Sequence, residues 1–299
     1  MVFAKRLGSV LVLTGFVLLL VALDCAAVEL EKIDDVVKEM KEELGEGFIV
    51  EKLEPFVVAT DDSAGAMRSH KATISRCMEA LYKEFFTEKL KTVIRVYLLK
   101  DDESYRGYVK KSENREVDTP YGFCTAGGTK LVMNIGTGTG TLVHEMVHAF
   151  IKPDFPDVPV WFNEGLASLF EQCSTADDTI RGLVNWRLPG LQQAIKDGNF
   201  VRFEDLMAMS DRQFYSRESR AHYAEARYLC MFMQEKKLLK TFYKQFREAA
   251  RSPAEAAEGE PKPEPDRSGF RTFKALFDQP VEKVEEEFQK WVMELKWTR

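Results

Sequence analysis

Apolar positions recur along this chain with two different periods, and the switches between them mark its elements. Residues 28–44 place an apolar face on a charged helix, which Gly45 and Gly47 end. Residues 48–51 and 56–60 read as strands around Pro55. Across 63–86, Met67, Ile74, Cys77, Met78, Leu81 and Phe85 keep helical spacing. The run 93–99 is strongly β-prone, and 101–110 predicts a short helix. Residues 121–125 and 130–135 flank Ala126-Gly127-Gly128-Thr129, which reads as a hairpin.

Leu142, Val143, Met146, Val147, Ala149 and Phe150 then form an apolar run with helical character. Pro153, Pro156 and Pro159 break the chain after it, and a second apolar segment begins near Val160 and turns back. Beyond residue 172 the pattern predicts helices only, at 187–197, 203–215, 219–235 and 237–249. Residues 251–269, rich in Pro, Glu, Ala and Ser, read as a disordered loop or linker. Residues 270–277 and a helix at 281–295 follow, and the stripe Phe288, Trp291, Val292 and Leu295 suits core packing. The expected class is therefore α+β: a mixed helix and sheet lobe, then a mainly helical lobe. The domain spans 28–250, with 270–299 packing on it as a C-terminal helical segment. No internal repeat is visible.

The N-terminus changes the expected location. Lys5 and Arg6 precede an apolar stretch over 7–23, and small residues follow at Ala26 and Ala27, as in a secretory signal peptide. Cleavage after Ala27 gives a secreted, periplasmic or extracellular protein. The alternative is an uncleaved membrane anchor, because about 17 apolar residues sit at the low limit for spanning a bilayer. Cys25 suggests a lipidation site, but the preceding Asp24 fits one poorly.

At 45% hydrophobic residues the chain can bury a sizeable core. Removing residues 1–27 takes out Lys5, Arg6 and Asp24 and leaves a net charge of −7. A mildly acidic surface argues against nucleic acid as a partner. Cys77, Cys124, Cys173 and Cys230 remain, enough for two disulfides in three connectivities or for four buried thiols. Their spacing gives no zinc-finger pattern.

The candidate chemistry lies in two strings. The first is His144-Glu145-Met146-Val147-His148, which holds two of only four histidines. On a helix, positions i and i+4 share a face, so both imidazoles can meet one ion. Glu145 follows His144 by about 100° around the helix, beside the ligands rather than among them, which suits a general base. The second string is Trp161-Phe162-Asn163-Glu164-Gly165-Leu166-Ala167, in which Glu164 fits a third ligand. Two imidazoles, one carboxylate and an open fourth position make a catalytic rather than a structural zinc site, with one Zn²⁺ per chain.

This pair of motifs resembles the gluzincin branch of the zinc metallopeptidases, and the second string is similar to the glutamate-ligand segment of M1-type aminopeptidases and of smaller peptidase-MA-like domains. The resemblance implies a zincin-like fold with the zinc site in the cleft between the two lobes. It also implies His144, His148 and Glu164 as zinc ligands, Glu145 as base, and peptide or protein as substrate. It is specific over residues 140–172. Fifteen residues separate His148 from Glu164, slightly fewer than in the large aminopeptidases. Their Gly-x-Met-Glu-Asn string is absent, and Val132-Met133-Asn134 is only a faint echo, so an aminopeptidase is not supported. Ser168 stands where thermolysin-like relatives carry an aspartate that orients a histidine.

Related domains hold a tyrosine on a later helix to steady the developing oxyanion. Tyr223 matches best, with His222 and Tyr215 as alternatives, and Arg227 could orient it or bind a substrate carboxylate. The hairpin at 121–135 is expected near the site, where an extended substrate could add as a strand. Gly136-Thr137-Gly138-Thr139-Gly140 lacks the Gly-Lys-Ser/Thr of a phosphate loop and reads as a lead-in to the helix. His70 reads as a surface residue. The rival to a hydrolase is a catalytically inactive zincin-scaffold binding module of the cell envelope. Substrate, endo- or exopeptidase mode and oligomeric state stay open.

Overall fold

The computed structural model describes residues 32–117, 119–125, 127–176, 179–251 and 264–298. The expected signal peptide or anchor at 1–27 lies outside them. Among the described residues no helix is long and apolar enough to cross a membrane.

The first half is a five-stranded sheet between two helical layers. Its strands are β1 (Ile49–Leu53), β2 (Phe56–Thr60), β3 (Ile94–Leu99), β4 (Gly122–Cys124) and β5 (Lys130–Asn134), in the spatial order β1-β2-β3-β5-β4. The three central strands are parallel, and β1 and β4 run antiparallel at the two edges. Buried on both faces, the central strands read as continuous apolar runs, and side-chain alternation divides them between two cores. Phe56, Val58, Val96, Leu98, Leu131 and Met133 point to one face, where α2 (Ala64–Glu84) and α4 (Gly140–Asp154) lie. Val57, Ala59, Tyr97, Leu99 and Val132 point to the other, under α1 (Ile33–Leu44) and α3 (Asp102–Glu113). A register of Val58 on Val96 and Val96 on Leu131 keeps each set together.

Among the described residues the second half is helical apart from one hairpin, so the molecule is α+β. It contains α5 (Val160–Leu169), α6 (Leu188–Lys196), α7 (Phe203–Ala208), α8 (Asp211–Phe214), α9 (Ser219–Glu235), α10 (Leu239–Arg251), α11 (Phe270–Ala275) and α12 (Val281–Glu294). The hairpin, β6 (Cys173–Ala176) with β7 (Thr179–Gly182), corrects the expectation of helix alone beyond residue 172. The expected helix at 203–215 is two helices, because Met209 leaves helical geometry and Ser210 caps a new start through a reciprocal bond pair with Gln213.

Pro153 does not break α4. It sits in the last turn, and the helix stops after Asp154, leaving the interruption to Pro156 and Pro159. Of the expected linker at 251–269, residues 252–263 lie outside the described ones, and residues 266–269 are tied to the fold by hydrogen bonds. Trp161 Nε1 donates to Ser268 O at 2.8 Å, and the Asp266 carboxylate receives the Gly269 and Thr272 backbone N–H groups. α11 and α12 join the same core as α9 through Phe273, Phe288 and Val292.

Candidate metal centre

Two glycines set the spacing of the site. A Cβ on Gly165 would lie 2.8 Å from the Ala226 carbonyl oxygen and 3.0 Å from Cys230 Sγ, so a bare backbone here lets α5 approach α9. A Cβ on Gly140 would lie 2.4 Å from the Glu171 carbonyl oxygen, which seats the start of α4 on the turn that ends α5. α4 presents His144 and His148 one turn apart, and α5 turns Glu164 back toward them.

The three donors converge. His144 Nε2 and His148 Nε2 are 3.0 Å apart, and Glu164 Oε2 lies 3.3 Å from the first and 3.5 Å from the second. A tetrahedral ion with bonds near 2.0–2.1 Å holds its ligand atoms about 3.3 Å apart, so the spacing fits such an ion. Glu164 Oε2 is also buried without a hydrogen-bond partner, an expensive state for a carboxylate oxygen unless a cation meets it. The donor set of two imidazoles and one carboxylate suits zinc and its neighbours in the transition series.

Each donor is held from behind. His148 Nδ1 lies 2.9 Å from Asn163 Oδ1, which leaves Nε2 for the ion. Tyr215, half exposed, donates its hydroxyl to Glu164 Oε1 at 2.6 Å, so only Oε2 faces the imidazoles. Behind His144 stands Glu171, its Oε1 3.2 Å from Nδ1 though off the line of a good hydrogen bond. Glu171 is held by Arg187, whose Nε and Nη2 donate to it at 3.0 and 2.7 Å, and by Asn185. Ser168, one turn after Glu164, is buried with a hydroxyl that meets no partner, and the carboxylate that approaches His144 Nδ1 is that of Glu171.

The electrostatics agree with the geometry. Burial disfavours a charged His144, yet the Glu164 and Glu171 carboxylates beside it push its pKa up to about 10. Burial likewise opposes an ionised Glu171, but His144 and Arg187 hold it down at about 2. The pocket is built to keep positive charge among its carboxylates.

Glu145 projects from α4 into a cleft of about 1130 Å³, which His144, Tyr121, Gly122, Glu171, Trp186, Arg187, Arg220 and Tyr223 also line. Tyr121 and Gly122 belong to the hairpin expected near the site, and β4 is the sheet edge that flanks α4. Tyr223 has its ring 5.1 Å from the Arg187 guanidinium carbon, and burial pushes its hydroxyl pKa up, so the hydroxyl stays a donor. The other candidates on α9 do not reach the cleft. His222 Nδ1 bonds the Phe214 carbonyl at 2.9 Å inside the helical core. Arg227 is wholly buried and spends its donors on the carbonyls of Ser168, Leu169 and Leu183, so it binds no substrate carboxylate and instead joins α9 to the end of α5. His70 is half-buried rather than a surface residue.

Glu171, Asn185 and Arg187 escape the sequence motifs. The one signal for Glu171 is an acidic residue directly after the apolar pair Leu169-Phe170. Glu171→Gln keeps the shape and removes the charge behind His144. It is expected to weaken Zn²⁺ binding by about 10–100-fold in chelator competition, the usual cost of losing an outer-shell partner. Unchanged affinity would mean that Glu171 does not orient His144.

No protein-family model matches the chain, and no curated protein matches it, so the resemblance rests on the two strings and on this geometry.

Proposed function

We propose that this chain is an exported, zinc-dependent metallopeptidase of the gluzincin type on a zincin-like fold. The observation that carries the reading is the convergence of His144 Nε2, His148 Nε2 and Glu164 Oε2, with Glu145 beside them in an open cleft. The sheet supports it, since an antiparallel edge strand flanks the helix that bears both histidines.

His144, His148 and Glu164 would hold the ion. When bound, zinc supplies Lewis acidity for a carbonyl and for water. Glu145 takes the proton of the attacking water and delivers it to the leaving amine. The Tyr223 hydroxyl donates toward the oxygen on which negative charge develops. An extended peptide lies along β4, where unpaired backbone groups at the sheet edge receive it and set its direction past Glu145.

The test joins metal content to peptide-library cleavage. One zinc per chain and cleavage that a chelator abolishes and Zn²⁺ restores is the expected result. One zinc with no cleavage would favour the binding-module reading, and no zinc would overturn the site itself.

A further inference from the structure

Two cysteines stand opposite each other in the wall of the cleft. Cys77 is on the inner face of α2, and Cys173 opens β6, two residues after Glu171. Both line the cavity that holds His144 and Glu145, and α2 packs directly on β6 and β7. The two thiols are near enough for each to shift the other's ionisation. Neither remaining described cysteine has such a partner. Cys124 Sγ donates to the Thr125 carbonyl at 3.4 Å, and Cys230 is sealed against Gly165 where α5 meets α9.

We propose that Cys77 and Cys173 form a disulfide across the cleft wall, joining α2 to the β6–β7 hairpin, while Cys124 and Cys230 stay thiols. The neighbouring Cys173 thiol draws the Cys77 pKa below its ordinary value, which makes Cys77 the attacking thiolate, whereas Cys173 is shifted up. The oxidant is a small-molecule or protein disulfide. Cys77 Sγ attacks it, forming a mixed disulfide and releasing one thiol. Cys173 then loses its proton, attacks Cys77 Sγ and releases the second thiol. The two electrons and two protons leave on the reduced oxidant. The cross-link fixes the strand that follows Glu171, and so fixes one wall of the cleft beside His144.

The test needs neither metal nor substrate, so its outcome is separate from that of the peptidase reading. The full chain is equilibrated with oxidised glutathione, alkylated while unfolded, digested and mapped by mass spectrometry. The expected product is one cross-linked pair, Cys77 with Cys173, and alkylation at the other three cysteines. Cys124→Ser leaves that pair intact, and Cys77→Ser or Cys173→Ser removes it. Reducing the oxidised wild type is expected to lower Tm by roughly 5–10 °C, as for loss of a native disulfide closing a long loop. Cys173→Ser should melt with the reduced form and be indifferent to reductant. A pair through any other cysteine, or a folded, oxidised chain that is alkylated at both Cys77 and Cys173, overturns the proposal.

Discussion

Glu145→Gln is expected to keep its zinc and to lose peptide hydrolysis by about 10²–10⁴-fold in kcat, the usual worth of a positioned proton carrier. Glutamine preserves the volume and the hydrogen-bonding reach of the side chain at the cleft wall, but its amide cannot take a proton from water. The ligand set is untouched, because His144, His148 and Glu164 converge without Glu145. The pairing of outcomes is what makes the variant informative. Loss of zinc would place Glu145 among the ligands. Normal turnover with normal zinc would place the base elsewhere. Retained zinc with lost turnover, and with KM little changed, identifies a group that acts on the reacting atoms and not on substrate binding. Glu164→Ala should show the opposite split, since it deletes a donor and leaves Glu145 in place, so metal affinity falls first.

The part of the site that the sequence makes legible is the part set by local geometry. Two histidines at i and i+4 must share a helix face. The fold class is legible for a similar reason: the short β-prone apolar runs in 56–60, 93–99 and 130–135 and the 3.6 period of the helices are properties of neighbouring residues. What the sequence hides depends on contacts between distant segments. Glu171 meets His144 only because Gly140 lets α4 sit on the Glu171 carbonyl. Arg187 gives no motif, because its meaning comes from a carboxylate sixteen residues away. Arg227 carries the spacing of a substrate-binding residue, yet it is buried against the end of α5, since a helix pattern gives the face and not what the face meets. The β6–β7 hairpin is short and weakly alternating, so its strands show too little period to be told from loop.

Asp154→Ala is expected to cost about 3–5 kcal/mol of stability, the penalty for removing one member of a buried, hydrogen-bonded charge network. Asp154 ends α4, the helix of His144 and His148, and is completely buried. Its Oδ1 accepts from the Thr87 hydroxyl at 3.0 Å, the Glu88 backbone N–H at 3.1 Å and the Thr87 backbone N–H at 3.3 Å. Its Oδ2 accepts from the Tyr243 hydroxyl at 2.5 Å and from Arg247 Nη1 at 2.6 Å. One carboxylate therefore joins α4 to the turn after α2 and to α10. Alanine would strand the Arg247 charge and the Tyr243 hydroxyl away from water, each with its own desolvation cost, and would take the acceptor from two backbone N–H groups. Asp154→Asn, which keeps the acceptor oxygen, should lose less, and Asp154→Ala with Arg247→Met should recover part of the loss because the stranded cation is gone. Burial works against ionisation here, but Tyr243, Arg247 and the Glu88 N–H hold the Asp154 pKa below its ordinary 3.8. A carboxyl whose folded pKa is depressed contributes its stability above the unfolded value and loses it as pH falls through the folded one. The stability gap between wild type and Asp154→Ala should thus be full at neutral pH and narrow as the solution is acidified below about pH 4. Urea unfolding of both proteins across that range measures it, and a gap that stays constant with pH would show that packing, not the carboxylate charge, holds this end of the helix.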